Sequence, residues 1–542
     1  MTYIFVLMRP AGILLCCIIM PIGCTDQDTS SDLHVLHYNQ HNNITSLDPA
    51  YAKSQNNIWA VNHIYSTLLD LDDSLRIVPG LAHTWESSED GRRHTFHLRS
   101  DVLFHDDPCF KDDSDRTLTA EDVKYSYERL MDTTLNAPGS WVFAGKVADE
   151  RPFEVVNDTT LVIRFSRPFA PFLSLLTMQY CSIVPKEAVE YYGGDFFKQP
   201  VGSGPFQFKR WISNQGLFLT RYEDYHGWKD STYASNLDGV RTSFIGERSL
   251  AFLELVNGQI DFFTGLESSY INTALTPTGD LRERYADRIQ FVKMPYLNFE
   301  YLGMNPGAPG AHPLLAETDF RKALNYGIDR QLMLTSLRSG IGRPADAGVI
   351  TRGLPAYDPK RVVGYEYDPE KASELLAQWD ADLLRQPLKI FTSKDYLDLT
   401  TFIARQWEDL GLTIELEVVE SAILRNRMRS GELPLFRASW IADYPDGESF
   451  LSMFYGDHPA PPNYTRFQDE RFDELYDLAM ATSDVDEKVE LYQQMDQLLV
   501  GEAPVVFLFY DEASIFASRR VEGLSRNGLN LLQVRGVNVR DE

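Results

Sequence analysis

The chain has 542 residues and a formal net charge of −27 at pH 7. That length exceeds one ordinary hydrophobic core, so two or three domains are expected. The acidic residues are spread along the chain and no Lys/Arg stripe offsets them, a field that repels nucleic acid and excludes that class of partner.

Residues 11–20 form an apolar block, followed by Pro21-Ile22-Gly23-Cys24. About ten apolar residues are too few to span a bilayer but suit the apolar region of a signal peptide. With Gly23 before Cys24, the segment resembles the lipobox of bacterial lipoproteins, in which the cysteine is acylated and becomes the new N-terminus. Pro21 stands where that pattern has Leu or Val. Met8-Arg9-Pro10 would make an ordinary basic start if translation began at Met8. Residues 1–23 are therefore read as a signal, Cys24 as the lipid-bearing residue and residues 24–32 as a polar tether. A cleaved signal without lipid is the alternative. No later segment approaches ~18 uninterrupted apolar residues. Of the five cysteines, Cys16 and Cys17 leave with the signal, so Cys109 and Cys181 remain. A lone pair outside the cytoplasm favours a Cys109–Cys181 disulfide, and no metal site is expected of them.

The next segments alternate in type. Residues 33–38 read as a strand, and Ile58, Val61, Ile64, Tyr65 and Leu68 recur at helical spacing over residues 58–69. Residues 95–99 alternate as a half-buried strand. Thr119-Ala120-Glu121-Asp122 is a capping-box pattern opening a helix that carries Val123, Tyr127, Leu130 and Met131 on one face. Leu161, Ile163 and Phe165 mark another strand. Phe320, Ala323, Leu324 and Ile328 lie on one helix face, and Asp329 can cap the next helix. Residues 412–418 form a strand after a helix holding Phe402, Ile403 and Trp407. The alternation indicates an α/β architecture.

Residues 65–130 carry a denser pattern. Tyr65-Ser66-Thr67-Leu68-Leu69 is followed by Val78-Pro79-Gly80-Leu81-Ala82, Trp85-Glu86, Asp90-Gly91, Phe96-His97-Leu98-Arg99, Val102-Leu103-Phe104-His105-Asp106 and Leu118-Thr119-Ala120-Glu121-Asp122-Val123. Downstream come Pro200-Val201-Gly202-Ser203-Gly204-Pro205-Phe206, Phe320-Arg321-Lys322-Ala323-Leu324-Asn325-Tyr326-Gly327-Ile328-Asp329-Arg330, Trp440-Ile441-Ala442-Asp443-Tyr444-Pro445-Asp446 and Ala503-Pro504-Val505-Val506. In order and spacing this resembles the dipeptide/oligopeptide/nickel class of extracytoplasmic solute-binding proteins, nearest its oligopeptide-binding members. One departure is Asp107 where the class often has Gly. It opens an acidic insertion over residues 108–116, expected at the surface and open to a tie through Cys181.

The resemblance implies a two-lobed α/β fold that closes by a hinge on its ligand. Lobe I would comprise residues 33–62, 203–290 and 505–542, with residues 63–202 as a satellite domain and residues 291–504 as lobe II. It implies a monomer without cofactor that takes a peptide to the permease and ATPase subunits of an ABC importer, held at the membrane only by its lipid. By motif, Asp443 would bind a peptide ammonium group and Arg437 a carboxylate, with Tyr396, Trp440, Ile441 and Tyr444 nearby. Arg437, Ser439, Ile441 and Asp443 share strand parity, which would set the two charges up to ~20 Å apart if fully extended. The plainer readings are a turn-capping Asp443, a solvated Arg437 and a core Trp440.

Three other functions have weaker support in the sequence. HExxH, GxSxG and GxxxxGK[ST] are absent from the chain, which leaves His105-Asp106-Asp107 as a weak catalytic signal beside a structural motif. Nickel or a metal chelate would need the histidines at 34, 37, 41, 94 and 97, and spacing of three on a strand puts side chains on opposite faces. An oligosaccharide would suit the aromatic content of 12%, but it has no need of both Asp443 and Arg437.

Overall fold

The structure is a computed structural model that describes residues 33–112, 116–229, 234–266, 268–524 and 527–541. The signal, Cys24 and the tether lie outside the described residues. Residues 34–542 form one unit. Among the described residues no helix is long and apolar enough to cross a membrane.

Two long strands organise the fold. Ile289–Met304 and Val505–Ser518 pair antiparallel over most of their length. At one end the pair continues through Phe262–Thr264 to Val35–Asn39, Gly239–Ser243, Gly216–Arg221 and Phe206–Ile212. At the other it continues through Leu435–Ile441 to Pro387–Thr392 and Thr413–Val418. The register between the two long strands shifts between Pro295 and Phe299. Phe299, Tyr301, Phe507 and Tyr510 are all fully or nearly fully buried there, so the crossing is packed on apolar side chains rather than hung on a loop.

A second sheet has the order Ala82–Ser87, Arg93–Leu98, Thr160–Arg164, Phe153–Asn157, all antiparallel. The helix Ala120–Met131 covers it, and its start is the capping box read from sequence, with Thr119 N–H donating to Asp122 Oδ2 at 2.7 Å. This satellite region shares one continuous apolar core with Leu36, Tyr38, Leu217 and Val240 of the large sheet. Arg129 reinforces the joint with a two-pronged pair to Asp48, at 3.0 and 2.6 Å. Residue 63 therefore falls inside the helix Gln55–Ile64, and no break in packing marks it.

The remaining elements follow the sequence pattern closely, including the strand Thr413–Val418 and the helix Arg330–Arg338. Asp329 caps that helix by accepting from Leu332 N–H at 2.8 Å. One helix ends early. Helical spacing runs to Leu68, but the chain leaves the helix after Ile64 and Leu69–Leu71 becomes a strand paired with Ile77–Pro79. The reason is the glycine motif: Gly204 N–H takes the Ile64 carbonyl at 2.8 Å. A Cβ on Gly204 would lie 2.6 Å from the Ile64 carbonyl carbon and 2.7 Å from its oxygen.

The expected disulfide is not formed; Cys109 and Cys181 are both free. Cys181 is fully buried in the satellite core, where its thiol donates to Leu175 O at 3.4 Å. Cys109 bonds Asp107 instead. The two ends of the insertion are held without sulfur. Tyr192 O–H donates to Asp107 at 2.9 Å, and Arg116 reaches Tyr222 Oη at 3.0 Å.

Gly204→Ala is expected to destabilise the fold by about 1–3 kcal/mol, because the new methyl meets backbone that cannot rotate away. Urea unfolding checks this; an unchanged midpoint contradicts the packing role given to the motif.

Candidate functional site

A cavity of about 680 Å³ lies between the satellite region and the segment 440–481. Pockets of this size hold small molecules. Trp141, Lys146, Arg167 and Phe169 form its satellite wall; Trp440, Asp443, Tyr444, Tyr455 and Tyr476 are among those on the other. The walls touch: Ala170 N–H donates to Met480 O at 3.1 Å, and the Trp141 and Tyr444 rings lie 6.3 Å apart.

Asp443 reaches the cavity because the strand Leu435–Ile441 stops two residues earlier. Ala442 N–H bonds Leu297 O at 2.8 Å, and Asp443 N–H bonds Ser449 Oγ at 3.1 Å. The following turn is fixed by Asp446, which accepts from Lys488 at 2.9 Å and from Tyr492 at 2.6 Å. The backbone of Asp443 is thus held while its carboxylate has no hydrogen-bond or ion-pair partner among the described residues. Asp443 is exposed, and it lines both this cavity and a smaller one of about 210 Å³. Burial, and then the charge of Glu448, push its carboxyl up to about 6. Glu448 is itself buried and accepts from the Tyr444 and Tyr476 hydroxyls. A carboxylate held this way favours a cationic partner brought in by a ligand.

The candidate residues divide into three groups. Asp443, Trp440 and Tyr444 meet at the cavity. Trp440 also leaves its indole N–H without an acceptor among the described residues. Ile441 points to the smaller cavity, beside Trp59, Tyr296 and Leu529. Arg437 and Tyr396 are not part of either lining. Arg437 is buried and pairs with Glu300 on the adjacent strand, and its guanidinium lies 3.0 Å from the centre of the Tyr396 ring. Neither a solvated Arg437 nor a simple extended line from Arg437 to Asp443 describes the site. The strand ends at Ile441, so parity no longer governs position 443, and Trp440 and Asp443 face one cavity despite opposite parity.

Several cavity residues escaped the sequence reading: Trp141, Lys146, Arg167, Phe169, Tyr455 and Tyr476. They come from segments hundreds of residues apart, and no local period joins them. Glu300 did leave a signal. It is a carboxylate flanked by Phe299 and by Tyr301 and Leu302, and a buried charge there requires a cation opposite. Among the described residues no group of three or more His, Cys, Asp or Glu side chains is gathered to hold a metal ion.

Known proteins place this chain in a family. The chain is 27% identical to the dipeptide-binding protein of Escherichia coli over 485 residues, covering 85% of this chain and 86% of that protein. It is also 27% identical to heme-binding protein A of Haemophilus influenzae over 504 residues, covering 88% and 87%. The ABC transporter-associated periplasmic binding protein DppA of Helicobacter pylori, solved with the peptide STSA, superposes with a TM-score of 0.76 at 26% identity. That match covers 93% of this chain and 98% of that one. The two-lobed periplasmic-binding-protein fold expected from the motifs is therefore the fold of this chain. Residues 76–461 match the model of the bacterial extracellular solute-binding proteins, family 5, and the chain belongs to that family.

Proposed function

We propose that this protein captures short peptides outside the cytoplasm and delivers them to the permease and ATPase subunits of an ABC importer. The observation that carries this reading is the unpartnered Asp443 carboxylate, fixed by its backbone at the junction of two cavities. A peptide ammonium group supplies the missing cation. The apolar and aromatic walls accept side chains of varied shape, which suits broad peptide tolerance. Relatives whose names state dipeptide binding support the same ligand class. An oligosaccharide brings no cation to the unpaired carboxylate. The protein acts as a monomer without cofactor or catalytic step, and lipid on Cys24 holds it at the membrane. Cys24→Ser is expected to move it from the membrane fraction to the soluble fraction; retention in the membrane contradicts the anchor.

Purified protein is expected to melt at a higher temperature with a mixture of di- to tetrapeptides, and Asp443→Ala to lose most of that rise. Equal stabilisation of both proteins contradicts the role of Asp443. The sign of the pH dependence follows from a carboxyl raised to about 6. Above that pH Asp443 is ionised and attracts the ammonium group. Below it the carboxyl is neutral, so calorimetric affinity falls by about tenfold per pH unit until the bound-state pKa is passed. The same shift means that ionised Asp443 disfavours the ligand-free fold above about pH 6. Asp443→Asn therefore raises the ligand-free melting temperature while removing the peptide-induced rise.

A further inference from the structure

The cavity is polarised. Asp443, Glu448 and Asp477 line one wall, while Lys146 and Arg167 line the satellite wall. The arginine that the motif offers for a carboxylate, Arg437, is already neutralised by Glu300 and stacked on Tyr396, outside the cavity lining. Arg167 is in the opposite condition. It is exposed, lines the cavity and has no hydrogen bond or ion pair among the described residues. Its position is set by chain on both sides: the strand Thr160–Arg164 precedes it, and Ala170 N–H is tied to Met480 O across the cavity. Lys146 stands beside it, donating to Trp141 O at 2.7 Å and leaving two ammonium N–H groups for other acceptors. It lies over the Trp141 and Phe169 rings, at 5.4 and 5.6 Å from their centres.

We propose that Arg167 of the satellite region, with Lys146 next to it, binds the ligand's terminal carboxylate, in place of Arg437. This rests on the peptide reading and narrows it. The ligand is a short zwitterion with a free C-terminus and at least one apolar side chain, and it bridges the two walls through its own ends. An arginine fork suits a carboxylate because both oxygens can be bonded at once. Such a ligand neutralises charge on both walls, whereas an amidated peptide leaves the satellite cations unmatched.

Calorimetry with Ala-Phe and Ala-Phe-Ala, each as free acid and as C-terminal amide, tests this. For the wild-type protein the amide is expected to bind at least about tenfold more weakly, the loss of one charge-assisted pair. Arg167→Gln lowers affinity for the acid by a similar factor and removes most of the difference between acid and amide. Arg167→Lys restores part of it, which separates a lost charge from a misfolded wall. The double variant Glu300→Gln/Arg437→Gln keeps the full difference. The inference is overturned if the acid and amide bind the wild type equally, if Arg167→Gln leaves their ratio unchanged, or if the double variant abolishes it; the peptide reading survives each of these. If none of the four peptides binds the wild type, both the inference and the peptide reading fall.

Discussion

The antiparallel pairing of Ile289–Met304 with Val505–Ser518 is the constraint on which the rest depends. Both strands belong to both halves of the large sheet, so each half is built on the same two segments of backbone. Strand Leu435–Ile441 pairs with the far part of Ile289–Met304, from Asn298 opposite Ile441 to Met304 opposite Leu435. That register decides where Leu435–Ile441 runs out and therefore where Asp443 emerges. The register shift between Pro295 and Phe299 lies beside that exit, and the Leu297 carbonyl it leaves available is the one that Ala442 takes. The site is thus a consequence of strand register, and the helices serve to hold it.

Charge is the second layer. A buried ion pair contributes little net stability, because desolvation offsets most of the attraction, but removing one partner leaves a costly unpaired charge. Glu300 and Arg437 neutralise each other, although Arg437 Nε finds no acceptor among the described residues, and Arg437 lines neither cavity. Asp443 and Arg167, on opposite walls, have no protein partner among the described residues, and a zwitterion can pair with both. The aromatic residues between them lower the local dielectric and strengthen each contact. Glu448 adds to this. Two tyrosine hydroxyls hold it in place, and after burial its charge is the second cause that raises the proton affinity of Asp443.

Much of the fold was legible in the sequence because it rests on local signals. The Thr119–Asp122 capping box, the Asp329 cap and the strand after Trp407 all appear where periodicity put them. The helix at Gln55–Ile64 was read too long because its end is set by Gly204, about 140 residues downstream, a tertiary contact that overrides helical spacing. Asp443 was singled out by its motif, and it lines the cavity. Arg437 was singled out by the same motif, which says nothing of the Glu300 that pairs with it on the adjacent strand. Arg167 and Lys146 were not legible at all: they join the site only when the satellite region packs against the segment 440–481. The free cysteines show the limit of counting residues, since two thiols in one compartment pair only if the fold brings them together.

A crystal structure of the protein with Ala-Phe-Ala bound is the most direct measurement of the central claim, that one cavity with oppositely charged walls holds a peptide by both ends. The account predicts the peptide between Trp141 and Tyr455, its amine on Asp443 and its carboxylate on Arg167. A peptide bound elsewhere, or one bound in this cavity with its amine away from Asp443, would contradict it.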